Sequence, residues 1–163
     1  MSAVDEALAA NRTYSWLFSS GGLAAPPERR LVVLTCMDAR IDVLPALGLR
    51  LGQAHVLRNA GGLVTDDVVR SLVLSQRRLG TREILVMAHT SCGLQDLDEA
   101  ALHHEVVAAT GQRPALLFGA FTDLDEVVRT GVDRLRCTPA LPHRDAIRGA
   151  VFDVATGRVR EVT

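Results

Sequence analysis

Leu31-Val32-Val33-Leu34 and Ile84-Leu85-Val86-Met87 are two short, unbroken apolar runs rich in branched side chains. A surface helix keeps a polar side, and so does a half-buried strand. A strand covered on both faces of a parallel sheet keeps none and reads as continuous hydrophobicity. The two runs are therefore predicted as the first and third strands, with Ala54-His55-Val56-Leu57 between them as the second.

The segment joining the second and third strands has the marks of a helix. Thr65-Asp66-Asp67 supplies an N-cap and first-turn acids, and Val68, Val69, Leu72, Val73 and Leu79 fill one apolar face. Arg77 and Arg78 complement the C-terminal dipole, and Gly80 ends the helix. Strands alternating with helices build βαβ units and a mainly parallel sheet, so the fold class is α/β.

The remaining elements follow outward. Residues 4 to 18 carry Val4, Leu8, Trp16 and Leu17 in a loose helical pattern before Gly21, Gly22, Pro26 and Pro27 break it, so 1–28 reads as an N-terminal helix and linker. Ile41 to Leu47 forms a brief helix ended by Gly48, a further helix around Asp98 to Ala109 ends at Gly111, and another around Asp123 to Leu135 follows Thr122 as its N-cap. Ala150 to Val154 and Arg158 to Val162 flank Ala155-Thr156-Gly157, the pattern of a hairpin and an antiparallel edge to the sheet.

Composition bounds the function. A chain of 163 residues, 48% hydrophobic, is the size of one domain spanning 1–163. Eighteen Lys and Arg against nineteen Asp and Glu, scattered in sign, leave no basic footprint for nucleic acid. Asp5, Glu6, Asn11 and Arg12 interrupt any signal-peptide core, and no stretch approaches the ~18 apolar residues of a membrane span, so a soluble cytoplasmic protein is expected. Three cysteines are too few for a disulfide framework.

Cys36 follows the first strand, and His89 and Cys92 follow the third. If those strands are sheet neighbours at a switch point, the three side chains converge on one crevice. A His-x-x-Cys pair with a remote Cys offers the three protein ligands of a catalytic Cys₂His zinc site whose fourth position is open. Taken singly, each residue is better read as a buried thiol or a satisfied histidine. Together at strand ends they favour a metal, and Cys36 and Cys92 lack the Cys-x-x-Cys spacing of a redox pair. His103, His104, His55, His143 and Cys137 have no companion motif, and solvated histidines are the expectation for the first two.

Cys36-Met37-Asp38-Ala39-Arg40, Arg58-Asn59-Ala60-Gly61-Gly62 and His89-Thr90-Ser91-Cys92-Gly93 stand in the order and at the separations of three motifs of the β-class carbonic anhydrases. The chain resembles that family from about Leu31 through Gly93, and again at Arg148-Gly149-Ala150-Val151-Phe152-Asp153, in its short form. The resemblance implies one Zn²⁺ per chain on Cys36, His89 and Cys92, with Asp38 and Arg40 as a dyad orienting or gating the metal site. It implies a four-stranded parallel sheet in the order 2-1-3-4 flanked by helices, and a homodimer or dimer of dimers. The implied reaction is reversible hydration of carbon dioxide to bicarbonate and a proton by zinc-bound hydroxide. Ala39 stands where regulated members carry Trp, so their inhibitory bicarbonate pocket is not expected.

In that setting Asp38 would accept a hydrogen bond from the nucleophile and Arg40 would hold Asp38 in a bidentate pair. In isolation, Asp-Ala-Arg would be a helix-start cap with an exposed ion pair. Two thiolates cancel the formal charge of the metal, so activity is expected to rise toward alkaline pH. Arg58 to Gly62 reads as a strand-ending turn whose glycines serve positive φ or close packing. Two rivals remain: a hydrolase of carbonyl sulfide or carbon disulfide using the same motifs, and a non-catalytic zinc or redox sensor in which Asp38 closes the fourth position.

Overall fold

The structure, a computed structural model, describes residues 1–163. Its strands are β1 Leu31–Cys36, β2 Ala54–Asn59, β3 Glu83–His89, β4 Ile147–Phe152 and β5 Val159–Val162. They form one sheet in the order β2-β1-β3-β4-β5, in which every neighbouring pair is parallel except β4 and β5. The order expected for four strands is present, and the C-terminal hairpin adds an antiparallel fifth. The helices are α1 Ala3–Leu17, α2 Val43–Ala46, α3 Asp66–Leu79, α4 Glu99–Thr110 and α5 Leu124–Arg136.

Helix ends follow local chemistry. Thr65 caps α3 and Gly80 terminates it in the left-handed region at φ 72. Asp98 caps α4 and Gly111 ends it in the same way. The cap of α5 corrects the sequence reading: Asp123, not Thr122, accepts the amides of Asp125 and Glu126, each at 2.9 Å. One carboxylate oxygen takes both orphan N–H groups, and its full negative charge meets the positive end of the helix dipole, which a neutral hydroxyl does not supply.

Strand ends also differ from the expectation. β1 continues through Thr35 to Cys36 and β3 continues to His89, so both residues close their strands instead of following them. The polar Thr35 is tolerated inside the sheet because its hydroxyl donates to the Met87 carbonyl at 2.7 Å. β4 begins at Ile147 and ends at Phe152, because Asp153 starts the turn, with its amide donating to Arg158 O and its carbonyl accepting from Gly157.

The sheet has two unequal faces. On one, Val32, Leu34, Ile84, Val86 and Ile147 pack with Val68 and Leu72 of α3 and with Val128, Val132 and Leu135 of α5. On the other, a smaller cluster of Val33, Ile41, Val43, Met87, Ala150 and Phe152 also contains Cys36 and Cys92, with Leu31, Val56 and Leu85 only partly covered. α1 has no buried residue. Gly149 marks where α5 sits closest to the sheet, since a side chain there would run into Val128. Gly149→Ala should therefore destabilise the fold by about 1–3 kcal/mol through overpacking. Combined with Val128→Ala it should cost less than the two single changes added together. Urea unfolding midpoints check this, and an unchanged midpoint for Gly149→Ala would show that the helix seat is not tight.

Candidate metal centre

The connections leaving β1 and β3 diverge, because β2 lies on the far side of β1 and β4 on the far side of β3. At such a switch point the loops part and leave a crevice at the carboxyl ends. Cys36 and His89 are the final residues of these two strands, and Cys92 lies on the turn just beyond β3. One potential ligand atom from each of the three lies within 4.8 Å of the others. All three are buried, His89 completely and the cysteines 5% and 6% exposed.

The surroundings of these atoms test whether they suit a metal. His89 Nδ1 donates to the Thr90 carbonyl at 2.9 Å, which leaves the lone pair on Nε2. Nε2 is buried and has no hydrogen-bond partner. Burial pushes the Cys92 thiol above its ordinary value, and the neighbouring Cys36 adds to the effect. A cation would satisfy the histidine lone pair and make both thiolates favourable, so the donor set fits a borderline-soft divalent metal.

Asp38 and Arg40 sit beside the triad as a clasp. Arg40 Nε and its backbone N–H both reach Asp38 Oδ1 at 2.9 Å, and Nη2 reaches Oδ2 at 2.7 Å. These hydrogen bonds, led by the side-chain ones and aided by the positive charge, hold the Asp38 carboxyl far below the usual carboxylate range. Asp38 Oδ2 lies 3.9 Å from His89 Nε2. The pair is no helix cap: α2 begins later, at Val43, with Asp42 in the cap position.

Two left-handed residues shape the backbone at these strand ends. Ser91, between His89 and Cys92, has φ 55, and its carbonyl accepts from Arg40 Nη2 at 3.0 Å, which ties the β3 turn to the β1 loop. Gly62 has φ 65, and a Cβ there would lie 2.9 Å from the Cys36 nitrogen, so this glycine permits close approach to a proposed ligand strand.

Other candidates fall elsewhere. His103, expected to be solvated, is buried against the Phe118 ring with centroids 5.0 Å apart, because the segment before α5 covers that side of α4. His104 is exposed, His55 bonds to Ser75, and Cys137 is an exposed free thiol.

The family profile described as carbonic anhydrase matches residues 31–116. β-Carbonic anhydrase 1 of Mycobacterium tuberculosis is 44% identical over 163 residues, covering 100% of this chain and 99% of that protein. This chain belongs to the β-carbonic anhydrase family. A solved carbonic anhydrase from Streptococcus mutans superposes on it with a TM-score of 0.94 at 46% identity, covering 100% of this chain and 99% of the other. A carbon disulfide hydrolase of Saccharolobus solfataricus is 36% identical over 182 residues, covering 97% of this chain and 88% of its own.

In this β-carbonic anhydrase the sequence reading missed one contributor to the crevice. Arg58, read as part of a turn, donates to three backbone carbonyls of the loop that carries Asp38. Its only sequence signal was its place ahead of two glycines, which pointed to the turn and not to the side chain.

Proposed function

We propose that the protein binds one zinc ion per chain through Cys36, His89 and Cys92 and hydrates carbon dioxide reversibly to bicarbonate and a proton. The observation that carries this reading is the orphaned, buried Nε2 of His89, within reach of two buried thiols and 3.9 Å from a carboxylate already held by arginine. Zinc, when bound, acts as a Lewis acid that lowers the pKa of water from about 15.7 toward about 7. Asp38, kept ionised, accepts a hydrogen bond from the attacking water and directs its lone pair toward substrate. Arg40, by binding both carboxylate oxygens, would hold Asp38 back from the metal that Cys36, His89 and Cys92 would bind. Leu94 and Phe121 pack against the cluster that holds both cysteines, so the surroundings of the proposed site are apolar on that side.

A second substrate is favoured by the likeness to carbon disulfide hydrolases, and it would use the same residues. Relative turnover of carbon dioxide, carbonyl sulfide and carbon disulfide by one zinc-loaded preparation separates the readings. Three free thiols suit a reducing compartment, and the cytoplasm is the proposed location. No nucleic acid or membrane enters this reading, and no helix is long and apolar enough to cross a membrane.

The working unit proposed is a homodimer or a dimer of dimers. Trp16, Leu17 and Phe18 stand exposed on and beside α1, while Leu31 and Leu85 remain half-covered on the thinner sheet face. Exposed and half-covered apolar surfaces on one chain invite burial against a second copy. Sedimentation at micromolar concentration should give at least a dimer, and a fully active monomer would remove this proposal.

Purified protein should carry about one zinc per chain, and Cys92→Ser or His89→Ala should lose most of it, because three ligands act as one chelating site. Metal analysis paired with a carbon dioxide hydration assay checks both halves, and full zinc occupancy in these two variants and in Cys36→Ser would sink the assignment.

Arg40→Ala should lower activity and move the pH profile upward. Asp38 has a depressed pKa in the folded protein, so its stabilising charge is present above the ordinary carboxylate value and is lost only on strong acidification. Between about pH 6 and 9 it stays ionised with or without Arg40, given an ordinary value of about 3.9. Without Arg40 the free carboxylate competes for the metal, and competes best at lower pH, where water is the weaker ligand. Wild-type pH dependence in Arg40→Ala would refute the gate.

A further inference from the structure

The Asp38 clasp raises a mechanical question. Arg40 lies two residues from Asp38 on the same loop, so the pair could move as one body and still keep its hydrogen bonds. One tie fixes the clasp from outside, the Arg40 contact to the Ser91 carbonyl. Something must also fasten the loop to the sheet if the carboxylate is to keep its place beside His89.

Arg58 supplies that fastening. The β1–β2 ladder ends at the pair Cys36 and Asn59, with a last rung from Met37 N to Asn59 O at 2.9 Å. Beyond this rung the β1 chain has no strand partner for its carbonyls. Arg58, on β2, reaches across with three of its donors: Nε to Cys36 O at 2.9 Å, Nη2 to Asp38 O at 2.6 Å and Nη1 to Ile41 O at 3.2 Å. The three carbonyls bracket the loop from the end of β1 to its far side. Asp38 O also accepts from Ile41 N at 3.1 Å, so the peptide is held while Arg40 holds the carboxylate.

We propose that Arg58 is a positioning residue: it fixes the Asp38 peptide to β2 so that the Asp38 carboxylate stands beside the metal position without occupying it. The proposal rests on the reading of Cys36, His89 and Cys92 as a metal centre. The three donors sit on three separate nitrogens of one rigid plane, each facing its own carbonyl; the three N–H groups of an ammonium radiate from a single atom, which would have to lie within about 3 Å of all three oxygens at once.

The test compares Arg58→Ala and Arg58→Lys with the wild type in metal-free, zinc-loaded and cobalt-loaded forms. Both variants should keep about one metal per chain, since Arg58 contacts Cys36 only through its backbone carbonyl and no ligating side chain is altered, and both should unfold near the wild-type midpoint. Amide exchange should accelerate at Met37, Arg40 and Ile41 alone, in the metal-free protein as well as the loaded one. Turnover should fall about ten- to a hundredfold, in kcat more than in KM, as expected when a positioned group is displaced. The cobalt absorption spectrum at one fixed neutral pH should change with it. Arg58→Lys should not restore kcat, whereas millimolar guanidinium should restore part of it to Arg58→Ala.

Wild-type kcat, cobalt spectrum and local exchange in Arg58→Ala would overturn the proposal. So would faster exchange throughout β1, β2 and β3 with loss of metal, because that would make Arg58 a general support of the fold. If the wild type itself binds no metal or shows no hydration activity, the functional reading fails. Exchange in the metal-free protein then still decides the anchor: acceleration confined to residues 37–41 upholds it, and unchanged or uniform exchange overturns it.

Discussion

The parallel pairing of β1 with β3 is the constraint on which the rest of the molecule depends. It runs from Leu31 opposite Glu83 to Thr35 opposite Met87, and it places the last residues of two distant segments side by side. Each strand alternates its side chains between faces, so a slip of one residue would turn Val32, Leu34, Ile84 and Val86 away from α3 and α5. The same slip would move Cys36 relative to His89. Thr35 helps seal the register, because its hydroxyl finds an acceptor only on Met87 across the pair.

Around the strand ends, the backbone adopts conformations that are unfavourable elsewhere. Ser91 and Asp96 have positive φ without being glycine, and Gly61 and Gly62 are both left-handed. Such residues persist only where surrounding contacts over-determine them. Ser91 is held by Arg40 on its carbonyl, Asp96 by its amide donating to Phe121 O, and the two glycines by the paired Asn59 and Leu63 hydrogen bonds that span them, while Arg58 holds the neighbouring loop through Cys36, Asp38 and Ile41. Charge-assisted hydrogen bonds are stronger than neutral ones, which suits them to holding a loop that has left the sheet ladder.

The two faces of the sheet divide the labour. α3 and α5 close one face with a large aliphatic cluster, and there the fold is secured. The proposed metal side has the smaller cluster and the shorter covering segments, with α2 only one turn long. A crevice open to substrate needs this thinner cover, and the half-covered apolar surface nearby is what the proposed second chain would bury.

Much of this was legible in the chain alone, where a local pattern has a local cause. Continuous hydrophobicity marked the strands because both faces of a parallel sheet are covered, and the cap Thr65 and the stops Gly80 and Gly111 follow from unsatisfied helix ends. The grouping of Cys36, His89 and Cys92 was legible as a motif, conditional on two strands being neighbours. Tertiary structure alone decided that condition, along with the burial of His103 under Phe118 and the threefold reach of Arg58. The physical reason is range: caps and periodicity depend on residues a few positions apart, whereas a guanidinium or an imidazole finds partners far away in the chain, which only the register of the folded sheet brings within reach.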